Sequence, residues 1–170
     1  LYGEKISENG VTDFELSSLS YQPAQSGVVN QYQTVPSFKL NYASLPSSNS
    51  YQYNFKASID EFKHKDNSKT EGTRYVLYPS IEMPIQTESW EITPKLGIRH
   101  IDYSLSNNSL DEKSKTTPIM SLRGKIFLEK VVGNKIYTLE PEAYFLYVPV
   151  GNQDNNPIFD SGLKEFKYSL

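Results

Sequence analysis

Between Tyr137 and Tyr147 the chain alternates with a period of two, a pattern that suits a strand and that no helix can use. Odd positions give Tyr137, Leu139, Pro141, Ala143, Phe145 and Tyr147, and even positions give Thr138, Glu140, Glu142 and Tyr144. One face is uncharged with a tyrosine at each end, and the other is wet. Such a strand suits an apolar medium on one side and a polar lumen on the other. Ten steps of roughly 3.3 Å make about 33 Å of strand. Tilted by about 40°, it covers roughly 25 Å along a membrane normal, the height of the apolar band of a transmembrane barrel. A single alternating strand also fits the edge of a soluble sandwich, so the pattern decides something only if it recurs.

It does recur, and helical periodicity is poor throughout. Alternation predicts eight strands, at about 12–22, 31–43, 51–64, 72–84, 88–105, 115–130, 136–149 and 163–170. Segments 85–87 and 131–135 are short, the latter holding the hairpin-type pair Gly133-Asn134, and 44–50 is modest. Connections 106–114 and 150–162 are longer and rich in Asn, Asp and Ser; 23–30 and 65–71 are similar in composition and middling in length. Short and long links in rough alternation predict an all-β, antiparallel up-and-down sheet.

The charges sort by parity. Taken strand by strand, the outward set is Thr34, Pro36, Phe38, Leu40 and Tyr42; Tyr51, Tyr53, Phe55, Ala57 and Ile59; Tyr75, Leu77, Pro79, Ile81 and Met83; Trp90, Ile92, Pro94, Leu96 and Ile98; Met120, Leu122, Gly124, Ile126 and Leu128. With the odd set of 137–147 these positions carry no charge, although 22% of the chain is charged. The opposite parity holds Lys39, Lys56, Asp60, Arg74, Glu82, Glu91, Lys95, Arg99, Arg123, Lys125, Glu129, Glu140 and Glu142. Aromatics recur near strand ends, as in interface girdles: Tyr42, Tyr51, Tyr53, Tyr75, Trp90, Tyr137 and Tyr147. Pro36, Pro79, Pro94, Pro118 and Pro141 all take the outward parity, each removing a ladder donor. In the fifth strand Ile98 is outward and then Ile101, Tyr103 and Leu105 take over, which predicts a β-bulge near His100.

Other classes are disfavoured. A net charge of -3 with mixed signs and no basic patch argues against nucleic acid. No run approaches 18 apolar residues, so there is no transmembrane helix, as expected where only alternate residues meet lipid. The chain has no cysteine and only two histidines, His64 and His100, at opposite strand ends, so no metal site is expected. Glu140 and Glu142 are roughly 6.5–7 Å apart along one face, within range of an inverting glycosidase pair, but two solvated carboxylates explain them as well. No catalytic residue and no cofactor is assigned.

These segments resemble the lipopolysaccharide-assembly barrel family, LptD. The resemblance rests on Thr138-Leu-Glu-Pro141, Tyr144, Leu146-Tyr147, Pro149, Gln153, Phe159-Asp160-Ser161, Phe166 and Tyr168. Gly72-Thr-Arg-Tyr75 with Tyr78-Pro79, and Trp90 with Thr93-Pro94-Lys95 and Tyr103, look like neighbouring strands of the same barrel. Lys130 and Glu142 stand where the family often has arginine. The resemblance implies that residues 1–170 are one segment of the wall of a large transmembrane β-barrel in the outer membrane of a Gram-negative bacterium, a fragment of a longer protein. It implies non-enzymatic transport of lipopolysaccharide. The partners would be lipopolysaccharide itself, an LptE-like plug lipoprotein inside the barrel, outer-membrane lipid, and a periplasmic transport bridge reached through a domain outside this chain. Lys39, Lys56, Arg74, Lys95, Arg99, Arg123, Lys125, Glu140 and Glu142 would line the lumen facing plug or substrate; Phe38, Phe55, Leu77, Trp90, Ile92, Leu122, Phe145 and Tyr147 would face lipid. A soluble or surface-attached β-sandwich binding module and an outer-membrane barrel enzyme are the competing readings.

Overall fold

A computed structural model describes residues 1–20, 32–46, 49–106, 113–150 and 159. Those residues form strands β1 (Tyr2–Ser7), β2 (Gly10–Leu19), β3 (Gln33–Ser44), β4 (Gln52–Lys63), β5 (Glu71–Glu82), β6 (Ile85–Gln86), β7 (Trp90–Ser106), β8 (Lys113–Ile126), β9 (Leu128–Val132), β10 (Lys135–Leu139) and β11 (Glu142–Tyr147), and no helix. One antiparallel sheet runs β1-β2-β3-β4-β5-β7-β8-β11, with β6 paired to β7, while β9 and β10 pair with each other. The sheet is a single open layer. Hairpin follows hairpin, as the alternating links require.

β8 through β11 are one long hairpin broken in the middle. The ladder from Tyr147↔Met120 to Glu142↔Lys125 resumes in the same register at Leu139↔Leu128 and closes at Lys135↔Val132. The break falls where Pro141 has no N–H to give. There the Ile126 N–H donates to the Pro141 carbonyl (3.1 Å), and the Phe127 N–H turns aside to the Ser89 carbonyl (2.8 Å). Gly133 makes the tight turn at φ 61°, a left-handed conformation that glycine adopts at little cost. The β3–β4 turn is pinned to its neighbour: Asn49, at φ 59°, donates its backbone N–H to the Pro84 carbonyl (2.7 Å) and accepts the Gln86 N–H on Oδ1 (3.0 Å).

The structure departs from the sequence expectation in several places. β1 is an additional strand, paired with β2 from Tyr2↔Glu15 to Ser7↔Gly10; its six residues are too few and too mixed to show a period. The strands expected at 115–130 and 136–149 each split at the Phe127/Pro141 break. There is no bulge at His100, because β7 holds one register against β8 from Trp90↔Ile126 to Tyr103↔Lys113. Ile101, Tyr103 and Leu105 therefore share the parity of Lys95 and Arg99. The bulge lies instead in β3, where the register shifts between Thr34 and Ser37 against both neighbours, carrying Thr34 to the polar face. The strand expected at 163–170, like Gln153, Asp160 and Ser161, lies outside the described residues.

A small aromatic core explains the displaced apolar residues of β7. Phe62 is 1% exposed and stacks on Phe159, ring centroids 4.5 Å apart. Tyr103 and Tyr32 pack against the same ring, with Ile101 and Leu105 around them. The Tyr32 hydroxyl donates to the Thr70 carbonyl (2.9 Å), and burial pushes its pKa upward. These aromatics sit on the polar parity, at the end of the sheet that bears the longer links. Replacing Phe62 by Ala should destabilise the fold by about 3–5 kcal/mol, read as a lower denaturant midpoint. An unchanged midpoint would contradict this core.

Candidate functional site

Residues directly opposite in an antiparallel ladder share a face, so register converts sequence parity into rows across the sheet. The expected lumen residues all fall on one face. Lys39 pairs with Glu15 (3.5 Å), Arg74 with Asp60 (3.1 Å), Lys95 with Glu82 (2.9 Å) and Arg123 with Glu91 (2.8 Å), and Lys125 pairs with Glu140. The first four pairs bridge neighbouring strands, and Glu140 stands in the link between β10 and β11. Glu142 lies opposite Lys125 in the ladder, so both carboxylates considered as a catalytic pair stand beside one ammonium.

The Asp60–Arg74 pair is the most buried of these contacts. Asp60 is 5% exposed and accepts hydrogen bonds from Ser37 Oγ (2.6 Å), Ser58 Oγ (3.2 Å) and Arg74 Nη2 (3.1 Å). The guanidinium also lies 4.9 Å above the Phe62 ring. Lys39 and Glu15, by contrast, are about half exposed. Neither Asp60 nor Ser37 stood out as a site residue in the sequence; only the register after the β3 bulge brings them together.

Lys56 and Arg99 differ from the other cations. Asp13, Asn41, Lys56, Tyr78, Arg99 and Thr117 occupy one row of the polar face, Asp13 accepting from Asn41 Nδ2 (2.8 Å) at its far end. Among the described residues neither Lys56 nor Arg99 has a carboxylate within ion-pair distance. A hollow of about 410 Å³ opens beside Lys56, walled by Ser37, Lys39, Asn41, Ser58, Asp60 and Arg74. No group of three or more metal-ligating side chains is present among the described residues.

The other face is apolar and bare. Phe38, Leu77, Trp90, Ile92, Leu122, Phe145 and Tyr147 are exposed, with Leu96 and Ile98 each 54% open and Phe145 63%; Phe55 shares their face and is partly covered. Polar Ser37, Asp60, Ser80 and Thr93 are all under 9%. This inverts the burial of a water-soluble sheet. The four central strands β4, β5, β7 and β8, about 4.8 Å apart with about 26 Å of apolar length each, and β3 and β11 with about 13 Å each, make a patch on the order of 600 Å², at the upper end of what a soluble monomer shows. The band also runs obliquely. On β3 it covers Phe38 to Tyr42; on β8 it covers Pro118 to Ile126, displaced by roughly six residues over four strand-to-strand steps. That drift, roughly 5 Å along for each 4.8 Å across, corresponds to strands tilted about 45° to the band, near the tilt of a closed barrel.

Removing one partner from a buried pair should cost far more than removing one from an exposed pair. Asp60→Ala should destabilise by about 3–5 kcal/mol, and Glu15→Ala by less than about 1 kcal/mol. Denaturant midpoints of the two variants test this, and equal shifts would contradict the burial difference.

Comparison with known proteins agrees with this geometry. The family model for LptD, LPS transport system D, matches residues 3–169. An LPS-assembly protein LptD of Aromatoleum aromaticum is 29% identical over 145 residues, covering 81% of this chain and 18% of that protein. Its namesake in Thiobacillus denitrificans is 29% identical over 163 residues, covering 91% and 22%. That of Nitrosospira multiformis is 31% identical over 180 residues, covering 99% and 19%. The chain thus spans about a fifth of the length of these relatives. An all-β, two-faced sheet whose sequence matches one family model almost from end to end belongs, plainly, to the LptD family of LPS transport proteins.

Proposed function

We propose that this chain is one stretch of wall in an outer-membrane barrel that delivers lipopolysaccharide to the cell surface without altering it chemically. The observation that carries this reading is the inversion of faces: a bare apolar band, oblique to the strands, backs a charged, ion-paired face. Lipid would cover the band, and the charged face would line a lumen shared by the sugar-phosphate head of the passing lipid and a plug lipoprotein of the LptE kind. Backbone groups along the outer edges of β1 and β11 have no ladder partner among the described residues. In a bilayer they would need further strands, so the segment would be continued on both sides. Lipopolysaccharide would arrive from a periplasmic bridge that docks on another domain of the parent protein.

The charged face suits this role chemically. Cross-strand ion pairs set where most of its Lys and Arg stand, and Lys56 and Arg99, with no carboxylate within ion-pair distance among the described residues, would meet anionic sugars. Glu140 and Glu142, beside Lys125, serve in this account as structural carboxylates. Replacing both by Gln should leave transport largely intact.

Two results test the proposal. Leu77→Arg, Ile92→Arg or Phe145→Arg in the full-length protein should impair barrel assembly by roughly 2–4 kcal/mol each near the midplane. Asn54→Arg or Ser121→Arg, on the charged face, should be much milder. Depleting the parent protein should trap lipopolysaccharide on the periplasmic side and admit large apolar antibiotics. Normal surface lipopolysaccharide after depletion would contradict the transport role.

A further inference from the structure

The carboxylates on the charged face of the central strands are not spread evenly. Between the row of Asp60 and Arg74 and the row of Glu82 and Lys95, three rows cross β4, β5, β7 and β8. Their charged-face residues are Ser58, Val76, Ile101 and Lys115; Lys56, Tyr78, Arg99 and Thr117; and Asn54, Ser80, Gly97 and Ile119. None is acidic. The middle row holds Lys56 and Arg99, neither of which has a carboxylate partner among the described residues. We propose that this row, with Tyr78 at its centre and the hollow beside Lys56, binds an anionic saccharide.

The chemistry is specific to that ligand class. Lys56 and Arg99 stand two ladder steps apart, about 10 Å at the backbone. Such a spacing suits a saccharide bearing separated anionic groups better than a single small ion. Tyr78 lies between them with its ring laid across Gly97: a Cβ on Gly97 would come within 2.6 Å of Tyr78 Cε2. Glycine there lets the ring lie low and offers a flat apolar surface to the C–H face of a sugar. In the hollow the Ser37 and Ser58 hydroxyls donate to Asp60 and Asn41 Nδ2 donates to Asp13 Oδ1 (2.8 Å), which leaves the oxygens of these three side chains to accept from sugar hydroxyls. Lys39, Arg74, Lys95, Arg123 and Lys125 are already neutralised by carboxylates and offer less to a passing anion. This inference rests on the reading above that the charged face meets lipopolysaccharide, and it assigns the contact to three residues.

The test uses the full-length barrel with its plug lipoprotein. The probes are the phosphorylated oligosaccharide left after complete deacylation of lipopolysaccharide, and the same oligosaccharide after phosphatase. Lys56→Gln with Arg99→Gln should weaken binding of the phosphorylated probe by about tenfold or more and barely change the dephosphorylated one. Tyr78→Leu should weaken both. Lys125→Gln, outside the hollow and paired with Glu140, should change neither by more than about twofold, and Lys56→Arg with Arg99→Lys should retain most of the binding. Unchanged affinity in the double Gln variant overturns the site. So does loss of the plug from that variant with saccharide binding intact, which would make an acidic protein surface the occupant. Should the double variant fail to assemble, a photo-reactive side chain at Thr117 in the otherwise unaltered protein decides. Capture of lipopolysaccharide supports the site, and capture of the plug alone overturns it. Capture of lipopolysaccharide at Ser121 but not at Thr117 would remove the site while leaving transport standing. Normal surface lipopolysaccharide after depletion would remove transport itself.

Discussion

The unbroken register of the β4–β5–β7–β8 ladders is the constraint on which the rest of this structure depends. Each ladder step places a side chain on one face or the other, and a slip of one residue exchanges the faces. Between Trp90↔Ile126 and Tyr103↔Lys113 there is no slip, and the β5–β7 ladder resumes in step on either side of Tyr78 and Pro79. The prolines thus remove individual donors without moving the register. An apolar band and a charged face both survive because of this, and so does every cross-strand ion pair. Where an extra residue does enter, at Val35-Pro36 of β3, it falls near the end of the strand and beyond the apolar run from Phe38 to Tyr42.

The ion pairs then do two things at once. Arg74 and Asp60 close a nearly dry knot, with Ser37 and Ser58 filling the remaining acceptor sites of the carboxylate. A buried pair of that kind stabilises the arrangement chiefly by making its loss costly. The exposed pairs, such as Lys39 with Glu15, contribute little to stability and mainly fix where charge is displayed. Against that paired background, the acid-free stretch of β4, β5, β7 and β8 around Tyr78 stands out as a belt of net positive charge. The face is therefore patterned, and the pattern follows the rows of the sheet.

Much of this was legible in the sequence, because period two leaves a trace in every strand. The outward sets of β4, β5 and β8, the Gly133-Asn134 turn and the antiparallel order all follow from alternation and turn chemistry. What stayed hidden depends on contacts between distant residues. Ile101, Tyr103 and Leu105 look outward because they are apolar, yet they turn inward to meet Phe62 and Phe159, which the sequence does not bring together. Thr34 changes face through a bulge that Pro36 hints at but whose phase it cannot give. The separation of paired from unpaired cations needs to know which strand lies beside which, and by how many residues each is offset. Family resemblance added the chemistry of the cargo, which no periodicity contains.

The central claim is that alternate residues of each strand meet lipid and an aqueous lumen. It is tested most directly by nitroxide labels at Val76, Leu77, Met120, Ser121, Leu122 and Arg123 of the full-length protein in lipid vesicles. The measurement is collision with molecular oxygen, which concentrates in the bilayer, against collision with a water-soluble nickel chelate. The account predicts oxygen dominance at Leu77, Met120 and Leu122, and chelate dominance at Val76, Ser121 and Arg123. Equal access of the chelate to both sets, with no period of two, would contradict it.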